Sequence, residues 1–115
     1  MTLDHAHVAL KKVFGYDTFR PLQAEIIQAV YDRRDVLVLM PTGGGKSICF
    51  QVPALTQEGT AVVVSPLLAL MKDQVEGLLA NGAPAAFINS MQTPNQTRDV
   101  EDDLLAGRIK LLYVS

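Results

Sequence analysis

A glycine-rich segment between an apolar run and a predicted helix constrains the fold of this chain more than any other feature. Residues 35–40 are mostly apolar and β-branched or aliphatic, and Pro-Thr-Gly-Gly-Gly-Lys-Ser follows at 41–47. A strand, a loop and a helix N-terminus in this order can hold a polyphosphate. Glycines let backbone N–H groups approach the phosphate oxygens, and the start of the helix adds unpaired N–H donors. The segment therefore predicts a phosphate-binding loop.

Each polar position of this loop has an expected role. Lys46 would reach the β- and γ-phosphates of a nucleoside triphosphate and Ser47 would ligate Mg²⁺, so these two are the predicted catalytic residues. Met40 stands where the strict pattern G-x-x-x-x-G-K-[ST] has its first glycine, a position that helicase-type loops relax. The alternative is a glycine-rich turn that binds nothing. The predicted phosphate contacts are Thr42, Gly43, Gly44, Gly45, Lys46 and Ser47.

Composition limits the class of protein. The 115 residues suffice for one small domain, and 49% hydrophobic and 19% charged residues are typical of a globular protein. No run approaches the roughly 20 apolar residues of a membrane span. The N-terminus lacks the features of a signal peptide and there is one cysteine, which together predict a cytoplasmic location. A net charge of −2 indicates that any DNA contact is weak or local.

The remaining sequence alternates between helical and strand patterns. Apolar residues at helical spacing, with capping and stop signals, predict helices at 4–14, from Pro21 to about 31, from Lys46, from Ser65-Pro66 to about 80, and from Thr93 to Gly107. Pro53 should kink or break the third of these helices. Apolar runs predict strands at 35–40, 61–64, 85–88 and 109–114. The sequence therefore predicts an α/β fold with a parallel sheet, whose ligands bind at the carboxyl ends of the strands.

Several sequence blocks together resemble a known family. They are FGYDTFRPLQ at 14–23, MPTGGGKS at 40–47, VVVSPLLALMKDQV at 62–75, NS at 89–90 and LLYVS at 111–115. In this order and spacing the blocks resemble the RecQ family of DNA helicases, over nearly the whole chain. The resemblance implies a RecA-like P-loop NTPase fold with a parallel sheet flanked by helices. It also implies an enzyme that uses ATP and Mg²⁺ to translocate on a single DNA strand and unwind duplex.

The resemblance also assigns the base-binding residues. It implies that Tyr16 and Arg20 sandwich the adenine and that Gln23 hydrogen-bonds the edge of the base, which makes residues 1–34 a helical adenine-recognition segment. An aromatic face and a guanidinium plane both stack well on a base, and a side-chain amide can donate and accept at once. From the residues alone, Tyr16 would rather be assigned to the core and Gln23 to an exposed helix surface.

The expected DNA contacts lie after the second and third predicted strands. The resemblance implies that Ser65, Lys72, Asn89 and Ser90 hold single-stranded or branched DNA without reading its sequence. The implied setting is DNA repair and recombination in the cytoplasm, at the nucleoid if the organism is bacterial. A capped amphipathic helix with solvated charges explains the apolar positions of 65–80 equally well.

No apolar run of the chain ends in acidic residues, although a P-loop ATPase needs such a pair to hold Mg²⁺ and position water. The family's Asp-Glu-Ala-His motif is expected soon after Ser115. Residues 1–115 are therefore predicted to be the N-terminal part of a helicase ATP-binding domain, truncated before that motif. A stand-alone nucleotide-binding module without catalysis is the alternative. A GTPase is disfavoured because no Asn-Lys-x-Asp occurs, and a small-molecule kinase because the arginines are few and scattered.

Overall fold

The computed structural model describes residues 1–41 and 45–115. This described part of the chain forms two compact units, Met1–Glu58 and Gly59–Ser115. The predictions made for Thr42, Gly43 and Gly44 lie outside the described residues.

The first unit is built from helices. They are α1 (Leu3–Ala9), a π-helical turn that continues it (Leu10–Phe14), α2 (Gln23–Tyr31) and α3 (Lys46–Thr56). Apolar residues three or four positions apart give each helix one apolar face, and these faces meet in a common core. The buried residues of this core are Ala6, Leu10, Ile27, Ile48 and Val52.

Two of the predicted helices in this unit differ in detail from the structure. The helix predicted from Pro21 begins instead at Gln23, because Leu22 adopts a left-handed conformation with φ 74° that a helix cannot include. The helix that contains Pro53 runs to Thr56 without the expected break. Val52, Pro53 and Ala54 are all buried, so packing outweighs the lost backbone hydrogen bond.

The prediction of a strand at residues 35–40 is wrong. Residues 34–41 have no regular secondary structure, and the side chains of Leu37 and Leu39 are 87% and 85% exposed. A strand exists only where a neighbour pairs with its backbone N–H and C=O groups. Within the described residues no strand pairs with this segment, so its apolar sequence is not sufficient to make it a strand.

The second unit is a three-stranded parallel sheet with two helices. Its elements in chain order are β1 (Ala61–Val64), α4 (Leu68–Ala80), β2 (Ala85–Ile88), α5 (Pro94–Leu105) and β3 (Leu111–Val114). The sheet order is β1-β3-β2, and Ala61 and Ala85 both pair with Leu111. The predicted α/β class with a parallel sheet is confirmed, although the described part of the chain has three strands where four were predicted.

Helix α4 packs on the sheet through its apolar face. Met71, Val75 and Leu78 of α4 are buried, and the Tyr113 hydroxyl on β3 donates to Oε1 of Gln74 at 2.7 Å. The capping box predicted for α5 is confirmed: the Thr93 hydroxyl accepts from the Gln96 N–H at 3.2 Å, and Gln96 Oε1 accepts from the Thr93 N–H at 2.9 Å.

Ser65 does not cap α4 as predicted. Its hydroxyl accepts from the N–H of Leu67 at 3.2 Å, a local turn that postpones the start of the helix to Leu68. Ser65 follows the end of β1 and Asn89 follows the end of β2. Because the strands are parallel, both residues lie at the carboxyl edge of the sheet, where α/β proteins bind ligands.

Candidate functional site

The N-terminus of α3 is the first part of the candidate site. Gly45 is its N-cap residue, with φ 79° and ψ 34°, a left-handed conformation that glycine adopts without strain. Glycine has no side chain to accept from the first-turn N–H groups, so these donors stay available to an anion. The arrangement fits the phosphate end of a nucleotide.

The two predicted catalytic side chains both lie in the first turn of α3. Lys46 is exposed and Ser47 is partly buried. Within the described residues Lys46 forms no ion pair, so its ammonium group is available to phosphates. The Ser47 hydroxyl is a suitable oxygen ligand for Mg²⁺ beside a bound phosphate. No cluster of three or more His, Cys, Asp or Glu side chains that could hold a metal ion occurs in the described part of the chain.

The predicted base-recognition segment is joined to this helix start by a hydrogen bond. Gln23, the first residue of α2, is 3% exposed. Its Oε1 accepts from the N–H of Arg20 at 2.8 Å, and its Nε2 donates to the carbonyl oxygen of Gly45 at 3.1 Å. Gln23 is therefore buried and bonded to both predicted halves of the nucleotide site, which its sequence position on a helix does not reveal.

Tyr16 and Arg20 are both exposed, as stacking on a base requires, and the exposed fraction of Tyr16 is 54%. The connector that carries Tyr16 is held by an ion pair: Lys11 Nζ lies 2.8 Å from an Asp17 carboxylate oxygen. This hydrogen bond and the positive charge of Lys11 lower the pKa of Asp17. Both side chains are largely exposed, so the ion pair orients the connector and adds little stability.

Cys49 lies one turn into α3 and is 4% exposed. Burial raises the pKa of its thiol, which keeps it protonated at neutral pH. This environment is typical of a small buried packing residue.

The second part of the candidate site is a cavity of about 600 Å³ in the second unit. It is lined by the first two turns of α4 and α5, by the end of β2 and by the segment between β2 and α5. Lys72 and Asn89, two of the predicted DNA contacts, line it together with the apolar side chains of Phe87 and Met91. Ser65 and Ser90 lie nearby in sequence but do not line this cavity.

Gln92 shapes this cavity and is a residue that the sequence reasoning missed. Its Oε1 accepts from the Asn89 N–H at 3.2 Å and its Nε2 donates to the Phe87 carbonyl at 2.8 Å. The Asn89 side chain accepts from the Met91 N–H at 2.9 Å. The sequence does contain a signal for this contact. Gln92 follows Asn89 by three residues, which is the same spacing as that between Thr93 and Gln96 in the capping box of α5.

Comparison with known proteins gives the family. The DEAD/DEAH box helicase family matches residues 20–115. The "ATP-dependent DNA helicase RecQ" of Haemophilus influenzae is 54% identical over 106 residues, which cover 92% of this chain and 17% of that protein. The proteins of the same name from Pasteurella multocida and a Synechocystis strain are 53% and 50% identical, over 92% and 93% of this chain and 17% and 22% of theirs.

The chain thus spans about a fifth of the length of these relatives. Among the helices of the described residues, none has the length and apolar character needed to cross a membrane. The match over residues 20–115 includes α3, the sheet and the cavity of the second unit. The chain belongs to the DEAD/DEAH box helicase family and, within it, to the RecQ helicases.

Proposed function

We propose that this chain supplies the nucleotide-binding part, and one stretch of the DNA-binding surface, of an ATP-dependent DNA helicase. The whole protein would couple ATP hydrolysis to translocation along a single strand and to unwinding of duplex, including branched DNA. The observation that carries the proposal is the start of α3. There Gly45 has a left-handed conformation and no side chain to cap the first-turn N–H groups, and Lys46 is exposed. Gln23, from the proposed base-recognition segment, donates a hydrogen bond to the carbonyl oxygen of the same Gly45.

The proposed ATP site assigns one task to each group. The first-turn N–H groups of α3 and the loop residues Thr42, Gly43 and Gly44 would bind phosphate oxygens, and Lys46 would pair with the β- and γ-phosphates. Ser47 would hold Mg²⁺, which supplies charge neutralisation on the phosphates. Tyr16 and Arg20 would stack on the adenine and Gln23 would hydrogen-bond its edge.

The proposed DNA contact lies at the carboxyl edge of the sheet. Lys72 is exposed and pairs with Glu76 at 4.0 Å. It lines the same cavity as Asn89 and Asp99, so a cation and an amide both border this cavity. Ser65 and Ser90 would add hydroxyl contacts to the same strand of DNA. Such groups bind the sugar–phosphate backbone and carry no sequence information, which suits an enzyme that moves along DNA. The proposed location is the cytoplasm, at the nucleoid in a bacterium.

A chimera tests the proposal. The matching 106-residue stretch of the H. influenzae relative would be replaced by that of this chain. We expect the chimera to unwind a forked duplex with ATP and Mg²⁺, and the same chimera with Lys46→Ala to be inactive. Circular dichroism would establish that both chimeras fold. A folded chimera without ATP-dependent strand displacement would contradict the proposal.

Lys72→Ala should weaken binding of a single-stranded oligonucleotide to the chain. The logarithm of the binding constant falls linearly with the logarithm of the salt concentration. Removal of one phosphate contact should make this negative slope shallower by about 0.7. Fluorescence anisotropy over a range of salt concentrations measures both quantities. Arg108→Ala is the matched control, because it removes the same charge from an exposed side chain that pairs with Asp103 at 3.1 Å and does not line the cavity. Equal slopes for the two variants would exclude Lys72 from the DNA contact.

A further inference from the structure

The Gln23 side chain makes two hydrogen bonds that do not involve a base. Its amide oxygen accepts from the backbone of Arg20, in the connector, and its amide nitrogen donates to the backbone of Gly45, at the end of the phosphate loop. Both partners are main-chain groups, and the side chain that joins them is 3% exposed. A buried amide bonded in this way fixes the distance between the two backbone segments.

Gly45 allows this contact because it has no side chain and adopts a left-handed backbone conformation. A Cβ built on Gly45 would collide with Nε2 of Gln23, and the φ of 79° would strain any other residue. As the N-cap, Gly45 uses its carbonyl to accept the first hydrogen bond of α3, from the N–H of Cys49. The Gln23 donor therefore holds the carbonyl oxygen that sets the direction of the first turn, where Lys46 and Ser47 lie.

We propose that Gln23 is a positioning residue of the phosphate site, which holds Gly45 and the start of α3 in place whichever base the nucleotide carries. The contact is made to a carbonyl oxygen, so it leaves the first-turn N–H groups open to phosphate. Beyond its bonds to described residues, the amide has one further donor and one further acceptor site with which to contact a base edge. This inference rests on the proposed nucleotide site and adds a second role for Gln23, distinct from recognition of adenine.

A second hydrogen bond between the same two helices provides a matched control. The Tyr31 hydroxyl on α2 and the Thr56 hydroxyl on α3 are 2.6 Å apart, at the ends of the helices far from Gln23 and Gly45 in sequence. Tyr31→Phe removes this bond and keeps the ring. Gln23→Met removes the Gln23 bonds at similar volume, so both variants lose part-buried α2–α3 contacts, but only one of them loses a contact to the phosphate loop.

The test uses inorganic tripolyphosphate with Mg²⁺ as the probe, because it has no base. By titration calorimetry we expect Gln23→Met to weaken tripolyphosphate binding by roughly tenfold, the loss expected for one buried hydrogen bond, and Tyr31→Phe to leave it unchanged. In the chain without ligand, hydrogen exchange at the amides of Cys49 and Phe50 should be roughly tenfold faster in Gln23→Met alone. Thermal unfolding of both variants reports any general loss of stability.

The outcomes separate the two roles of Gln23. If ATP binding weakens while tripolyphosphate binding and hydrogen exchange stay unchanged, Gln23 only reads the base and the positioning role is overturned. Faster exchange with unchanged tripolyphosphate affinity makes the contact merely structural and also overturns it. Tripolyphosphate binding that weakens as expected, with an unaltered preference for ATP over GTP, supports positioning and refutes the base-edge contact. If the wild-type chain binds neither tripolyphosphate, ATP nor GTP, the proposed function fails. Unchanged hydrogen exchange in Gln23→Met would then overturn the positioning role as well.

Discussion

Lys46→Ala is expected to lower the affinity of the chain for Mg-ATP by roughly a hundredfold or more, since a charge-assisted contact to phosphate is worth about 1.5–3 kcal/mol and Lys46 would make two. The fold should be unaffected, because the side chain is exposed and forms no ion pair with any residue that the structure describes. Alanine is also a good helix former, so α3 keeps its first turn.

Titration calorimetry with Mg-ATP measures this effect, and far-UV circular dichroism monitors the fold. Lys12→Ala is the control, because it removes the same charge from an exposed position on the π-helical turn of the same unit. The control should bind Mg-ATP as the wild type does. Unchanged affinity in a folded Lys46→Ala variant would remove Lys46 from the phosphate site.

The 115-residue chain by itself is expected to bind Mg-ATP weakly and to hydrolyse none, with or without single-stranded DNA. Strands β1, β2 and β3 are followed by Ser65, Asn89 and Ser115, so no strand of the described sheet leads to a carboxylate that could position water. One group that stabilises the transition state, such as the arginine of other phosphate-loop enzymes, is typically worth about 10³–10⁵ in rate, so the lack of an acidic pair in the isolated chain should leave hydrolysis at background. The isolated chain would then behave as a nucleotide-binding module without catalysis.

A steady-state phosphate-release assay on purified, folded chain decides this point. The Lys46→Ala chain sets the background, because any contaminating ATPase would be present in both preparations. DNA-stimulated phosphate release above that background would show that these residues contain a complete hydrolytic site.

Several features that follow from local sequence were predicted correctly. The apolar runs 61–64 and 85–88 are strands with those bounds, and the capping box at Thr93 starts α5 as expected. Gly15, Gly82 and Gly107 follow their helices with positive φ. Each of these features depends on neighbours within about four residues, which a single sequence displays in full.

The failed strand prediction depends on partners distant in the chain, whereas the helix starts predicted at Pro21 and Ser65 failed on local backbone conformation. Residues 35–40 have the composition of a buried strand, but strand formation needs a paired neighbour, which composition does not report. The same holds for the candidate site. The conformation of Gly45 follows from its residue type, whereas the hydrogen bond from Gln23 spans 22 positions and appears only in the structure. The cavity that joins Lys72 to Asn89 depends likewise on how α4 and β2 pack.

The strand order of the second unit has a consequence for how this unit folds. The middle strand, β3, comes later in sequence than both of its neighbours, and within residues 1–41 and 45–115 the pairing partner of β1 and of β2 is β3. Among the described strands, neither β1 nor β2 can form a ladder before residues 111–114 have been synthesised. Residues 111–114 follow β1 by about 50 positions, so the contacts of this sheet give the unit a high contact order. We therefore expect this sheet to assemble only after its central strand has been synthesised.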